Sequence, residues 1–200
     1  MADFKLTTVA RCKARLGDQF VADATIDADL QLEIDRVDAL AKSILGRSVD
    51  TAQHVEYHQV EQYETDIYLA AFPIDLDQSI MVRMGSRRVD IANQTTLSTL
   101  DYDVIPDLGR IVLESQAPYD PTHVEVTYTG GMAADFDAFA LAYPSIVRAV
   151  EDQVLHQWGK RRNPGRTVTL RSGSVEVDPE VSVLKTVRQT LTAYRRWNVA

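Results

Sequence analysis

The spacing of apolar residues changes period twice along this chain, and that change limits the folds open to it. From about Gln53 to Tyr128 apolar and polar residues alternate: Val55, Tyr57 and Gln59, then Ile67, Leu69 and Ala71, then Ile80, Val82 and Met84. A two-residue period puts alternate side chains on opposite faces of a strand. Pro73, Gly85 and Asn93-Gln-Thr-Thr punctuate these runs. Tyr102-Asp-Val-Ile, Pro106-Asp-Leu-Gly and Arg110-Ile-Val-Leu read as a hairpin, because proline presets a turn and glycine accepts positive φ. His123 to Thr129 is the last strand, with Val124, Val126 and Tyr128 on one face.

On either side of this block the period lengthens to that of a helix. Leu6 to Leu16 makes a short helix that Gly17-Asp18 ends. A second opens at Asp27 or Asp29, both good capping residues, and stops at Gly46. Its apolar stripe is Leu30, Ile34, Val37, Leu40, Ala41 and Ile44, with Glu33, Asp35, Arg36, Asp38 and Lys42 placed on the other side. After the strands, Pro144 suits the first turn of a third helix. Ile146 or Val147, Val150, Val154 and Trp158 form its stripe, opposite Arg148, Glu151, Asp152 and Gln157, and Asn163-Pro-Gly breaks it. Thr167-Val-Thr-Leu-Arg, a Ser172-Gly-Ser turn and Val175-Glu-Val read as a small hairpin or an extended arm. Asp178-Pro-Glu opens a last helix with Val181, Leu184, Val187, Leu191 and Tyr194 as its stripe.

The predicted fold class is therefore α+β: a small helical bundle with a β-rich insertion and an extended C-terminal arm. Residues 1–158 are expected to form the bundle core with its insertion at about 53–130, and 159–200 a basic arm and C-terminal helix. At 200 residues and 45% hydrophobic, the chain is long enough and apolar enough to bury a real core. Cys12 is the only cysteine, which excludes an intramolecular disulfide and a cysteine-rich zinc site. The opening Met1-Ala-Asp-Phe-Lys-Leu-Thr-Thr lacks the order of a signal peptide, and no apolar run approaches the roughly 20 residues that span a bilayer. A soluble protein made in the cytoplasm, with no membrane partner, is expected.

Charge divides the chain. Residues 159–200 hold nine Lys/Arg and three Asp/Glu, a net +6, while 1–158 hold twelve against twenty-six, a net −14. The overall −8 argues against a protein that coats nucleic acid with most of its surface, but fits a wall along which DNA slides without sticking. Lys160, Arg161, Arg162, Arg166 and Arg171 crowd around the Pro-Gly break and are expected to be exposed. A solvated loop, an acidic protein surface and DNA phosphates would all satisfy them. Trp158, Tyr194 and Trp197 beside arginines favour protein contact, because such pairs dominate binding hot spots. Trp158 fits the core stripe of its helix equally well.

Catalytic chemistry finds little footing. His54, Glu56 and His58 share a strand face, but a zinc site wants three or four ligands, and the pattern is not that of a zinc protease. Packed or solvated imidazoles are the better reading. Asp75, Asp77, Asp101, Asp103 and Asp107 lack the spacing of calcium loops and are expected to hold turns. Ser145, Ser172 and Ser174 lack a nucleophile elbow, Cys12 has no neighbouring histidine, and Gly130-Gly131 is too short to cradle phosphate. No catalytic residue, cofactor or metal site is expected.

Taken in order, several segments resemble the head-to-tail connector, or adaptor, proteins of tailed double-stranded-DNA phages. They are the opening helix ending Ile44-Leu-Gly-Arg-Ser, the hairpin from Tyr102 to Leu113, and Val124-Glu-Val-Thr-Tyr-Thr-Gly-Gly-Met leading through a short loop into Tyr143-Pro-Ser-Ile-Val-Arg-Ala-Val-Glu-Asp-Gln-Val. Asp178-Pro-Glu-Val-Ser-Val-Leu and Tyr194-Arg-Arg also fit. The likeness begins near Asp27. A longer β-region between Gln53 and Gln94 and an extension before Asp27 depart from the shorter members, and no residue role is carried over there.

The resemblance implies a structural virion protein without a catalytic site. Such a protein assembles with itself as a homo-oligomeric ring of about twelve subunits under the portal protein. It joins head to tail in the neck of the virion, contacts the next tail or neck component, and lines a channel through which DNA passes without sequence-specific binding. By this likeness the portal-facing residues are Lys160, Arg161, Arg162, Arg166, Arg171, Arg188, Arg195, Arg196 and Trp197. Another virion assembly component, such as a tail-completion or capsid-decorating protein, is the alternative, with the basic arm as a tether.

Overall fold

A computed structural model describes residues 4–61, 64–86, 95–114, 122–162 and 183–195, the side chain of Arg162 excepted. The chain divides into a β-rich unit, Arg47–Asp135, and a helical unit, Phe4–Gly46 with Phe136–Ala200.

In the β-rich unit the strands are β1 (Ala52–Val60), β2 (Asp66–Tyr68), β3 (Met81–Gly85), β4 (Thr95–Thr96), β5 (Tyr102–Ile105), β6 (Arg110–Leu113) and β7 (Thr122–Gly130). They form two antiparallel sheets, one in the order β1-β7-β3-β4 and the other β2-β6-β5. The nine residues of β7 pair along their whole length with β1, from Ala52 opposite Gly130 to Val60 opposite Thr122. Val124, Val126 and Tyr128 share one face of β7, as their two-residue spacing requires, and all three are fully buried. With Val82 and Met84 they meet Ile67, Tyr102, Ile111 and Leu113 of the second sheet in a single apolar core. The expected hairpin is present: β5 and β6 flank a 3-10 turn at Pro106–Leu108, closed by Gly109.

Gly131 ends β7 at φ 141°, and a Cβ there would lie 2.2 Å from the Asp50 carbonyl oxygen. Only glycine lets the two backbones approach so closely. The neighbouring hydrogen bonds, Thr51 N to Ala133 O at 2.8 Å and Met132 N to Val49 O at 2.9 Å, depend on that approach.

The helical unit contains α1 (Val9–Leu16), α2 (Asp18–Val21), a 3-10 turn (Ala24–Ile26), α3 (Asp27–Leu45), α4 (Phe136–Ala142), α5 (Pro144–Arg162) and α6 (Lys185–Ala193). Thr8 caps α1 by accepting from the Arg11 amide, and Gly46 in the left-handed region ends α3. Leu30, Ile34, Val37, Ala41 and Leu45 of α3 are buried, as are Ile146, Val147, Val150, Val154 and Trp158 of α5. These stripes face each other, with α1 and α6 against both helices.

Three expectations need correction here. Glu33, Asp38 and Glu151 were placed on polar faces, but each is at most 3% exposed. They lie at three- and four-residue spacing within the apolar stripes, so the fold buries them and supplies cations. Secondly, the loop before Tyr143 contains α4, whose Phe139 is fully buried and stacks near Phe4 at 5.6 Å and Tyr143 at 5.2 Å. Thirdly, Val183 and Leu184 are not helical, and α6 starts at Lys185. The Leu184 backbone is extended at ψ 135°, and its amide donates to the Gln153 side chain at 2.9 Å instead of continuing a helix. The stretch from Thr167 to Val181, with the hairpin or arm expected there, lies outside the described residues.

Candidate functional site

Among the described residues, the exposed cations of the C-terminal region lie on two helices and just past the end of the second. Lys160 and Arg161 occupy the last turn of α5, which continues through Arg162 to the Asn163-Pro-Gly break. The carbonyls of a helix C-terminus carry partial negative charge, so basic residues are favoured there. On α6, Val187 and Leu191 are buried, whereas Lys185 and Arg188 are exposed three residues apart. Arg195, just past the helix end, is also exposed. Arg166, Arg171, Arg196 and Trp197 lie outside the described residues.

Arg161 does more than project into solvent. Its Nη1 lies 2.7 Å from Glu33 Oε1 on α3, and Arg36 Nη1 approaches the same oxygen at 3.4 Å. One buried carboxylate thus joins the end of α5 to the middle of α3. The other buried acids act alike. Asp38 accepts from the Leu6 amide at 2.8 Å and from Lys42 at 3.2 Å, while Glu151 receives Arg11 Nε at 2.7 Å and Arg15 Nη1 at 3.3 Å. These contacts fasten the segment from Leu6 to Leu16 to α3 and α5. Sequence reasoning missed these acids; their three- and four-residue spacing from apolar stripe residues is the one signal that could have found them.

The aromatic residues divide between two roles. Trp158 is 7% exposed and meets Phe20 edge-on at 6.0 Å, so it belongs to the core of the helical unit. Tyr194 is half-buried, packs edge-on against Tyr143 at 5.8 Å and places its hydroxyl 3.0 Å from Ser145 Oγ. His156, one turn before Lys160, has its pKa lowered by burial and by the Lys160 charge. A cleft of about 200 Å³ between α5 and α6 is lined by Ser145, Arg148, Asp152 and Thr190 among others. It is smaller than the roughly 300 Å³ at which pockets begin to enclose metabolite-sized ligands.

In the β-rich unit, His54, Glu56 and His58 turn toward the core side of β1 while Val55 and Tyr57 face outward. Glu56 accepts from the Ala70 amide at 2.9 Å, from a close Tyr128 hydroxyl, and lies 3.3 Å from His58 Nε2. Burial pushes its pKa up, but the His58, Tyr128 and Ala70 hydrogen bonds outweigh that and hold it below the ordinary value. His54 Nε2 is 3.2 Å from the Gly130 carbonyl. The trio is a packed polar seam. Among the described residues no group of three His, Cys, Asp or Glu is arranged to hold a metal ion. Asp75 and Asp101 hold turns by accepting from the Asp77 and Ser98 amides at 3.0 and 2.8 Å. Among the described residues no helix is long and apolar enough to cross a membrane.

No family model matches the sequence, and no curated protein is detectably similar to it by sequence. The fold, however, is similar to chains of solved gene transfer agent particles. One belongs to the neck of an empty particle computed with C6 symmetry, with a TM-score of 0.58 and 17% identity over 98% of this chain and 92% of that one. Another belongs to the virion of a native particle, with a TM-score of 0.55 and 16% identity over the same shares. A third, from the neck of a native particle computed with C12 symmetry, has a TM-score of 0.52 and 18% identity over 100% of this chain and 98% of that one. This chain therefore has, over nearly its whole length, a fold found in the neck of gene transfer agent particles.

Proposed function

We propose that this chain is a structural neck subunit, a head-to-tail connector that assembles as a ring under the portal, joins head to tail and lines the DNA exit channel. The observation that carries this reading is the near-full-length similarity of fold to neck chains in particles computed with C6 and C12 symmetry. The resemblance of successive sequence segments to such connectors also supports it, as does the division of charge between an acidic body and a basic C-terminal region. In this reading Lys160, Arg188 and Arg195, with Arg162, Arg166, Arg171, Arg196 and Trp197, meet the portal. Arg161 contributes by fixing the end of α5 through Glu33. The acidic remainder discourages DNA from adhering to the channel during passage, because phosphate contacts would brake it. The chain performs no catalysis.

The test is binding of the purified protein to its cognate portal, compared with the double variant Arg188→Glu, Arg195→Glu. Both side chains are exposed, so the thermal melt should hold while portal binding falls at least about tenfold. Undiminished binding would remove α6 from the interface. Binding to the capsid lattice rather than to the portal would identify a decorating protein instead.

A further inference from the structure

A ring of identical copies closes through two different surfaces of one chain that complement each other. The cleft between α5 and α6 has the character of one such surface. Ala149 and Val187, both buried, give it an apolar lining, and Arg148, Thr186 and Thr190 stand along it. Arg148 is exposed, and among the described residues no carboxylate pairs with its guanidinium. By contrast Arg11, Arg15, Arg36, Arg83, Arg110 and Arg161 each reach a carboxylate within 3.4 Å. Asp152, on the same cleft, is already engaged by Arg15 at 2.5 Å. The β-rich unit holds a surface of the opposite kind. The turn Asp75-Leu-Asp-Gln and the 3-10 turn Pro106–Leu108 begin side by side, joined by Ile74 N donating to Pro106 O at 3.1 Å. Leu76 and Leu108 are 58% and 59% exposed. Asp77 and Asp107 are exposed as well, and among the described residues neither carboxylate has a cation partner. Neither turn contains a lysine or arginine, and Arg110, which follows, is taken by Asp66 at 2.6 Å.

We propose that these two turns of one copy seat in the α5–α6 cleft of the next, with Asp107 meeting Arg148 and Leu108 resting on Ala149 and Val187, an inference that rests on the ring reading. Neither half is satisfied within the chain: an arginine stands without a carboxylate in a protein of net −8, and two exposed leucines are flanked by carboxylates alone. Contact supplies an arginine–carboxylate pair, whose fork geometry is specific, together with burial of apolar surface. The position of the cleft favours a neighbouring copy over the portal. Arg188, through which α6 meets the portal in the proposed function, lies on the opposite flank of that helix from Thr186 and Thr190, since about 100° per residue sets them about 160° apart. A DNA phosphate would satisfy Arg148 but would leave the apolar lining and both leucines uncovered. Each copy makes the contact twice, once with each neighbour, and a portal that holds copies side by side raises their effective concentration.

Charge exchange tests this, with the full chain titrated onto its cognate portal and ring formation read by light scattering. Arg148→Glu and Asp107→Arg should each raise the concentration at which half of the portals carry a ring at least about tenfold, at an unchanged melt. The double variant brings opposite charges together again and should return to within about threefold of wild type. Should Asp107→Arg lower the melt, Asp77→Arg takes its place in both chains. Single variants that assemble like the wild type, or a double variant that fails to recover, would overturn the proposal while the wild-type ring still supports the connector reading. Loss of duplex DNA binding by Arg148→Glu without loss of assembly would assign the cleft to phosphate and overturn it too. If the wild type forms no ring on the portal, the connector reading itself fails and this contact falls with it.

Discussion

Arg161 at the end of α5 and Glu33 in the middle of α3 form an ion pair at 2.7 Å in which the carboxylate is 3% exposed and the guanidinium about half exposed. The two partners are therefore not equivalent. Arg161→Ala leaves a buried charge with only Arg36 at 3.4 Å, and should cost about 2 kcal/mol. Glu33→Gln leaves two arginines that water can reach, and should cost about 1 kcal/mol or less. Urea unfolding of the two variants checks the order, and equal losses would mean that the pair is not shielded from solvent.

Glu56 predicts an acid-sensitive β-rich unit. Its carboxylate is held below the ordinary 4.5, against the burial that raises it, by His58, Tyr128 and the Ala70 amide. A depressed folded value contributes stability that is complete above the unfolded pKa and is lost as pH falls through the folded one. Unfolding measured below about pH 4.5 should show this loss in the wild type and a shallower slope in Glu56→Gln. Parallel slopes would place the acid sensitivity elsewhere.

Two glycines should respond differently to alanine. At Gly131 a Cβ would meet the Asp50 carbonyl oxygen at 2.2 Å, so Gly131→Ala should cost at least about 3 kcal/mol. At Gly46 nothing lies within 4 Å and only the left-handed backbone opposes substitution, so Gly46→Ala should cost about 1 kcal/mol. Calorimetric melting points rank the pair directly.

Cys12 should report the opening of the helical unit. Burial pushes its thiol up to about 11, an effect the nearby Thr7 hydroxyl only partly offsets. At pH 8 the thiol is therefore both covered and protonated, and alkylation by iodoacetamide should proceed only through unfolding. Rapid labelling of the native protein would show that α1 detaches from α3 and α5. Because the folded value is raised, the thiol's contribution to stability is complete below the ordinary 9.0 and declines as pH rises toward 11.

Periodicity made most of the fold legible. The inward set Val124, Val126 and Tyr128 and the stripe of α5 follow from spacing, the hairpin around Pro106 and Gly109 from its turn residues, and the stripe of α3 from spacing except that Leu45 is buried where Leu40 and Ile44 were expected. Spacing says nothing, however, about a long-range partner. Glu33 and Glu151 read as surface acids because the arginines that compensate their burial lie 128 and 136 to 140 residues away. The inward turn of Glu56 was hidden for the same reason, since its donors come from Ala70 and Tyr128. At the candidate site, the exposure of Lys160 and Arg161 was predictable from charge, whereas the engagement of Arg161 with Glu33 was not.

In the proposed function, copies of this chain form a ring on the portal. The most direct measurement is the mass of the purified protein by light scattering, alone and mixed with its cognate portal, followed by imaging of the particles. The expected result is a ring seated on the portal, formed beforehand or only on docking. A monomer whose mass and images are unchanged by the portal would contradict it.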